Sequence, residues 1–295
     1  MKDDTASQRE ANRKSWNSAT AAHNRHKPNQ AEALASGQDP LFDEELALLG
    51  SLAGKKLVHL QCNSGQDTLG LARRGADVLG VDISDVAIEA ASALSTASGI
   101  PARFHRSDVY DWLESTEERF DLALASYGAL PWLPDLGRWA QGVHRILRPG
   151  GALVIVEFHP FACAFDEDRR LAWPAMTTGQ GVEFEDGIGD YVAESGGSLH
   201  FGGEDAQETP SPFDNPHPCF EFAWGVGDVL SALLDAHLYL ERLREYPHIN
   251  GYKLYHDMVA LPGRRWTLPE GVPCLPLMLG LRARKPMPSA TRGEP

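Results

Sequence analysis

Between residues 56 and 158 five short apolar runs alternate with four helix-like stretches, and this rhythm constrains the fold more than any other feature. The apolar runs at 56–60, 77–81, 102–105, 120–125 and 152–158 read as buried strands. The stretches between them, at 66–74, 85–98, around 110–113 and at 135–147, carry helical periodicity with its punctuation. Ser84 stands ahead of one helix, and Gly75, Gly99 and Pro149-Gly150-Gly151 follow the ends of three. Strands joined by crossover helices pair in parallel and are covered on both faces. A further helix is expected at 41–49, ahead of the first strand.

Residues 162–220 break the rhythm. They are punctuated by Gly and Pro and offer only short β-like pieces around Tyr191 and at 199–201. They hold twelve acids against Arg169 and Arg170, a net of −10 within a chain total of −14. Alternation returns with a helix at 226–237, a strand at 239–245, a polar connection rich in Tyr, His and Pro, and a strand at 275–282. The expected fold class is α/β: a mostly parallel, seven-stranded, doubly wound sheet with helices on both faces, an N-terminal lid and an inserted substrate cap. The expected division is a lid segment at 1–40, a cofactor-binding core at 41–161, an acidic cap at 162–222, completion of the core sheet at 223–285 and a tail at 286–295.

Charge and composition narrow the function. With 27 Lys and Arg against 41 Asp and Glu, the chain is poorly suited to nucleic acid or to an anionic membrane surface. The polar N-terminus has no apolar signal region, and no stretch approaches the ~20 apolar residues that span a bilayer, so a cytoplasmic protein is expected. Cys62, Cys163, Cys219 and Cys274 form no C-x-x-C pair, which suits a reduced protein without a zinc ribbon.

In an open α/β sheet the ligand lies beyond the carboxyl ends of the strands. The first strand-to-helix turn, Gln61-Cys62-Asn63-Ser64-Gly65-Gln66-Asp67, has one glycine where a dinucleotide fingerprint has three, which argues against a pyrophosphate cradle and a nicotinamide-dependent oxidoreductase. Asp82 ends the second strand, where a carboxylate can accept both hydroxyls of a ribose. Asp108, followed by Val109, ends the third, where a carboxylate and an apolar neighbour suit an adenine. Either acid can instead be a helix cap or a loop acid. Glu157 and His159 share a face at the end of the fifth strand, where an imidazole can take a proton or merely bond a loop. The acidic cap is either a solvated face or an attractor for a cationic, amine-bearing substrate.

At these residues the sequence resembles the class I S-adenosylmethionine-dependent methyltransferases, over 41–160 and again over 224–285. The family's first motif, V-L-D-L-G-C-G-T-G, stands here as Leu57-Val58-His59-Leu60-Gln61-Cys62-Asn63-Ser64-Gly65. His59 replaces the acid, and Gln61 and Asn63 replace two glycines while offering amide oxygens to the methionine ammonium. The stretches 60–69, 127–135, 147–151 and 157–160 are similar to a bacterial small-molecule branch. The Asp/Asn-Pro-Pro-Tyr/Phe element of enzymes that methylate amino groups of DNA or of protein glutamine is absent.

The resemblance implies S-adenosyl-L-methionine held by Gln61, Asn63, Gly65, Thr68, Asp82, Ile83, Asp108, Val109 and Ser126, with Trp16 of the leader folded over the sulfonium. Tyr127 and His159 are the implied catalytic residues. Contact with a small-molecule substrate falls to His23, Trp132 and Glu157. A metal is not expected, since His23 and His26 lack a third ligand; the chain is expected to be a monomer or homodimer. A non-methylating reaction beside the bound sulfonium (cyclisation or decarboxylation) and a non-catalytic nucleoside-binding module are the alternatives.

Overall fold

A computed structural model describes residues 2–177, 179–195, 199, 201 and 213–288. Five strands, β1 (Lys56–Leu60), β2 (Asp77–Asp82), β3 (Arg103–Arg106), β4 (Phe120–Ser126) and β5 (Leu147–Phe158), pair in parallel in the order β3-β2-β1-β4-β5. The short strands β6 (Val182–Phe184) and β7 (Cys219–Glu221) pair antiparallel outside that sheet. The main sheet resumes with β8 (Tyr239–Tyr246). Beyond it lie β9 (His248–Asn250), β10 (Val259–Leu261) and β11 (Arg265–Thr267), a separate antiparallel sheet of order β10-β11-β9. The last strand, β12 (Met278–Arg284), inserts between β5 and β8, antiparallel to both, with Met278 opposite Phe158. The main sheet is thus seven-stranded and mostly parallel.

Alternation along each strand builds two cores. Val58, Leu60, Ala123, Ala125, Leu153 and Ile155 face helices α6 (Val109–Ser115), α7 (Leu136–Ile146) and α9 (Val226–Asp235), where Trp112, Trp139 and Leu233 are buried. Leu57, Leu122, Leu124, Val154 and Val156 turn the other way, onto Leu48 and Leu49 of α3 (Asp43–Leu49) and Leu71 of α4 (Gln66–Arg73). Both faces being covered explains why the strands read as continuous apolar runs. Helix α5 (Asp85–Ser98) begins at Ser84, whose hydroxyl accepts from Ala87 N at 3.1 Å, and ends at Gly99 in a left-handed conformation.

Several elements differ from the sequence reading. Within the polar leader, to which the sequence reading assigned no helix, lie α1 (Lys2–Arg25) and α2 (Gln30–Ala35). The buried face of α1 carries Asn12, Ser15, Ala19, Thr20 and His23, too polar to register as amphipathic. Two of its polar groups are tied to distant segments: Asn12 brackets Phe220, donating to its carbonyl at 2.9 Å and accepting from its N–H at 2.7 Å, and Ser15 Oγ accepts from Ile188 N at 3.0 Å. Tyr191 opens a helical turn, α8 (Tyr191–Glu194), capped by Asp190, where a β-like piece was expected. Neither Leu199 nor Phe201 lies in a strand, and His200 between them is outside the described residues, as are Glu204, Asp205, Glu208 and the tail from 289. The polar connection of 247–277 conceals the β9-β10-β11 sheet, and Ile249, Tyr255, Met258 and Leu277 of this stretch form a small core with Ala162. Among the described residues no helix is long and apolar enough to cross a membrane.

Candidate active site

The turn after β1 takes left-handed backbone at three alternate positions: Gln61 (φ 55°), Asn63 (φ 49°) and Gly65 (φ 77°). Glycine is required only at the third, where a Cβ would sit 2.7 Å from that of Ala91 and 2.8 Å from the Phe104 ring. At the first two the side chains are used. Gln61 Nε2 donates to Ala129 O at 2.7 Å, while its Oε1 is buried without a hydrogen-bond partner among the described residues. Asn63 Oδ1 instead accepts from Ser64 N at 2.7 Å, so of the two amides expected to offer an oxygen only Gln61 keeps one free.

Asp82 is held from both sides. Its Oδ2 accepts from Asn63 N and its Oδ1 from Ser84 N, each at 2.8 Å, and burial pushes its carboxyl up against the pull of the Ser84, Asn63 and Ile83 N–H groups. A carboxylate oxygen accepts more than one bond, so lone pairs remain on the side that lines a cavity of about 830 Å³. Gln61, Asn63, Ile83, Val109 and Ser126 share that lining. Asp108 also lines it, yet serves as the α6 N-cap, accepting from Tyr110 N at 2.8 Å and pairing with Arg9 of α1 at 2.6 Å. It is a cap and a wall residue together.

Two of the expected cofactor residues do not line the cavity. Gly65 packs beneath α5, and Thr68 is fully buried with its hydroxyl on His59 Nδ1 at 2.9 Å. His59 also reaches Ser126 Oγ through Nε2 at 3.2 Å, and burial pushes its imidazole down to about 4. The position usually held by an acid is therefore a neutral link.

The chamber beyond Ser126 lies at the ends of β4 and β5. Trp16 and Trp132 line it, ring edge to face with centroids 5.3 Å apart, together with Phe158, Tyr191 and Tyr252. Tyr127 lines it at φ 52°, its phenol donating to Glu45 and accepting from Asn250 Nδ2 at 3.0 Å. Burial and the Glu45 carboxylate push that phenol well up, and its two bonds fix it in the chamber wall.

Three expected residues stand outside the cavity. His159 donates through Nε2 to Glu245 at 3.0 Å and accepts at Nδ1 from Phe161 N at 3.2 Å, while Phe158, of the opposite strand parity, takes the cavity position. Glu157 accepts from the N–H groups of Gly128, Ala129, Leu130 and Phe158, and so anchors the loop after β4 instead of touching a substrate. His23 donates to Gly189 O at 2.9 Å beneath the Tyr191 ring, with burial pushing it down to about 4. Among the described residues no group of three His, Cys, Asp or Glu is placed to hold a metal ion.

A charged trio not anticipated from the sequence, Lys27, Asp67 and Arg264, also lines the cavity. Burial pushes the Asp67 carboxyl up to about 6 against the opposing pull of Arg264 and Lys27, and pushes the Lys27 ammonium down to about 8. Arg264 lies over the Phe42 ring at 4.3 Å. Asp67 was visible in the first turn, but Lys27 and Arg264 come from segments read as leader and polar connection.

A sheet of this order, with its antiparallel strand inserted and a buried aspartate ending β2 in a cavity over the strand ends, defines a Rossmann-like domain that binds a nucleoside cofactor. Residues 58–151 match the family model described as a methyltransferase domain. The matched segment runs from β1 into β5 of the Rossmann-like sheet. It is 30% identical over 106 residues to a ubiquinone biosynthesis O-methyltransferase of Alkalilimnicola ehrlichii, covering 36% of this chain and 42% of that one. It is 29% identical over 147 residues to an uncharacterized methyltransferase of Synechocystis sp., covering 50% of this chain and 64% of that one. The chain thus spans under two thirds of the length of either relative. A solved S-adenosylmethionine-dependent methyltransferase from Mesorhizobium loti superimposes with a TM-score of 0.51 at 22% identity, covering 81% of this chain and 94% of that one, and shares the fold.

Proposed function

We propose that this protein transfers the methyl group of S-adenosylmethionine to a small-molecule nucleophile, in the cytoplasm and as a monomer or homodimer, without nucleic acid as substrate. The observation that carries the reading is the continuity of one cavity from Asp82, at the end of β2, to the aromatic chamber at the ends of β4 and β5. The residues present fit the cofactor. Asp82 has lone pairs for a ribose diol, Ile83 and Val109 offer apolar faces to an adenine, and the orphan Gln61 Oε1 awaits a donor such as an ammonium. Lys27, Arg264 and Asp67 supply opposite charges for the carboxylate and ammonium of an amino-acid end.

When bound, the cofactor supplies an activated methyl group on a sulfonium, open to in-line displacement. The chain's part is alignment and exclusion of water, effects that reach ~7–11 kcal/mol for well-placed reactants. Glu157 contributes by fixing the loop 128–130, and Trp132 at its end, with three N–H bonds. Tyr127, tied to Glu45 and Asn250, fixes the chamber wall. In this reading α1 acts as a lid, carrying Trp16 over the cavity, and the acidic segment 162–222 acts as a cap over the acceptor. The test is incubation of the purified protein with S-adenosylmethionine and candidate acceptors, followed by mass spectrometry. S-adenosylhomocysteine should form in step with an acceptor heavier by one CH2. An acceptor consumed without S-adenosylhomocysteine contradicts the proposal.

A further inference from the structure

The acceptor half of the cavity holds a carboxylate that the fold leaves unbalanced. Glu221 closes β7 and lines the cavity, and among the described residues it makes no ion pair and accepts no hydrogen bond. Three other buried acids are answered by direct bonds, Glu157 by four N–H groups, Asp82 by two, and Glu44 by His248, Asn250 and Arg265, while Asp67, at the other end of the cavity, has the opposing charges of Arg264 and Lys27. Burial alone acts on Glu221, pushing its carboxyl up. Glu221 is half-buried, and a carboxylate partly withdrawn from water on a cavity wall with no protein partner points to a ligand that completes it.

The backbone on either side of Glu221 is clamped. Asn12 brackets Phe220, and Phe222 N donates to Pro131 O at 2.8 Å, so β7 is fastened both to α1 and to the turn that ends in Trp132. Aromatic rings share the chamber: the Trp16–Trp132 pair and the Tyr191–Tyr252 pair, edge to face at 6.1 Å. Charge is sorted along the cavity. Lys27 and Arg264 stand with Asp67 at the cofactor end and Arg9 is held by Asp108, whereas the acceptor half adds Glu167 and Asp168, both paired with His256 at the mouth. An apolar aromatic box with one unanswered carboxylate is the chemistry that recognises an ammonium group.

We propose that the methyl acceptor is an arylalkylamine, bound in its protonated form, with its ring among the chamber's aromatic side chains and its ammonium on Glu221. The ammonium is an anchoring group, and the inference concerns recognition of the acceptor rather than the atom methylated. It rests on assigning the other half of the cavity to the cofactor.

The test is calorimetric titration of the full chain, saturated with S-adenosylhomocysteine, with three amines of increasing ring size (benzylamine, phenethylamine and tryptamine) and with the alcohol and carboxylate isosteres of each. At least one amine should bind about tenfold or more tightly than its alcohol, with the carboxylates weakest. Glu221→Gln should bring amine and alcohol level while leaving S-adenosylhomocysteine affinity unchanged. Parity of amines and alcohols in the unaltered protein, absence of binding by every amine, or a preference that survives in E221Q overturns the inference. The amine-to-alcohol ratio of the unaltered protein is decisive even if the variant folds poorly. Failure of S-adenosylhomocysteine to bind at all is a separate result and counts against the proposed function.

Discussion

His59 and Ser126 join the ends of the first and fourth strands through a 3.2 Å contact between Nε2 and Oγ, with Thr68 completing the link at Nδ1. The imidazole is buried and neutral, its value pushed down from the ordinary range to about 4. Because the unfolded chain binds this proton more tightly, stability is full above about pH 6.5 and falls as the pH drops toward 4. The loss is about 3 kcal/mol from this residue and a similar amount from His23. Thermal unfolding followed between pH 7.5 and about 4.5 should show that slope, and His59→Gln should flatten part of it. An unaltered slope in the variant counts against a neutral buried His59.

The parallel core was legible because its strands are buried on both faces and announce themselves as apolar runs; the α5 bounds 85–98 emerge from Ser84 and Gly99 alone. α1 was not legible, because its buried face is polar and stabilised by bonds to residues some 170–200 positions away, which no local pattern records. The β9-β10-β11 sheet was missed for a related reason: its strands are three residues each, too short for alternation to show. At the site, Asp82 and the first turn could be placed from order along the chain. His159 could not, because strand parity at the end of β5 depends on where the strand stops pairing, and Phe158 took the inward position. Glu221 and Arg264 carry no local signal at all; tertiary placement alone brings them to the cavity.

Gly65 and Gln61 share left-handed backbone but should respond oppositely to substitution. Gly65→Ala places a methyl against Ala91 and Phe104 at a positive φ, and should cost about 2–5 kcal/mol in denaturant unfolding. Gln61→Gly relieves backbone strain and should leave stability within about 1 kcal/mol, while weakening S-adenosylhomocysteine binding by removing the free amide oxygen. A tolerant Gly65 contradicts the close packing of the turn beneath α5.

Asp67 lines the cavity with Lys27 and Arg264, at the amino-acid end of the proposed cofactor site. Asp67→Asn should weaken S-adenosylhomocysteine about tenfold while sparing 5′-methylthioadenosine, which lacks the amino-acid group. Equal losses for both ligands in calorimetry would place Asp67 elsewhere.

His159 lies outside the cavity, engaged with Glu245 and Phe161. Removing a general base lowers turnover about 100-fold or more. His159→Gln should instead change kcat by less than about threefold once an acceptor is in hand, with a small loss of thermal stability. A large fall in kcat with stability intact would restore the histidine to the chemistry.

The most direct measurement is calorimetric titration of the unaltered protein and of Asp82→Ala with S-adenosylhomocysteine. Asp82 as the ribose ligand entails saturable heat for the former and a loss of affinity of about 30-fold or more for the latter, since two hydroxyl bonds to a charged acceptor disappear. Equal affinity in the two proteins, in a folded variant, contradicts it.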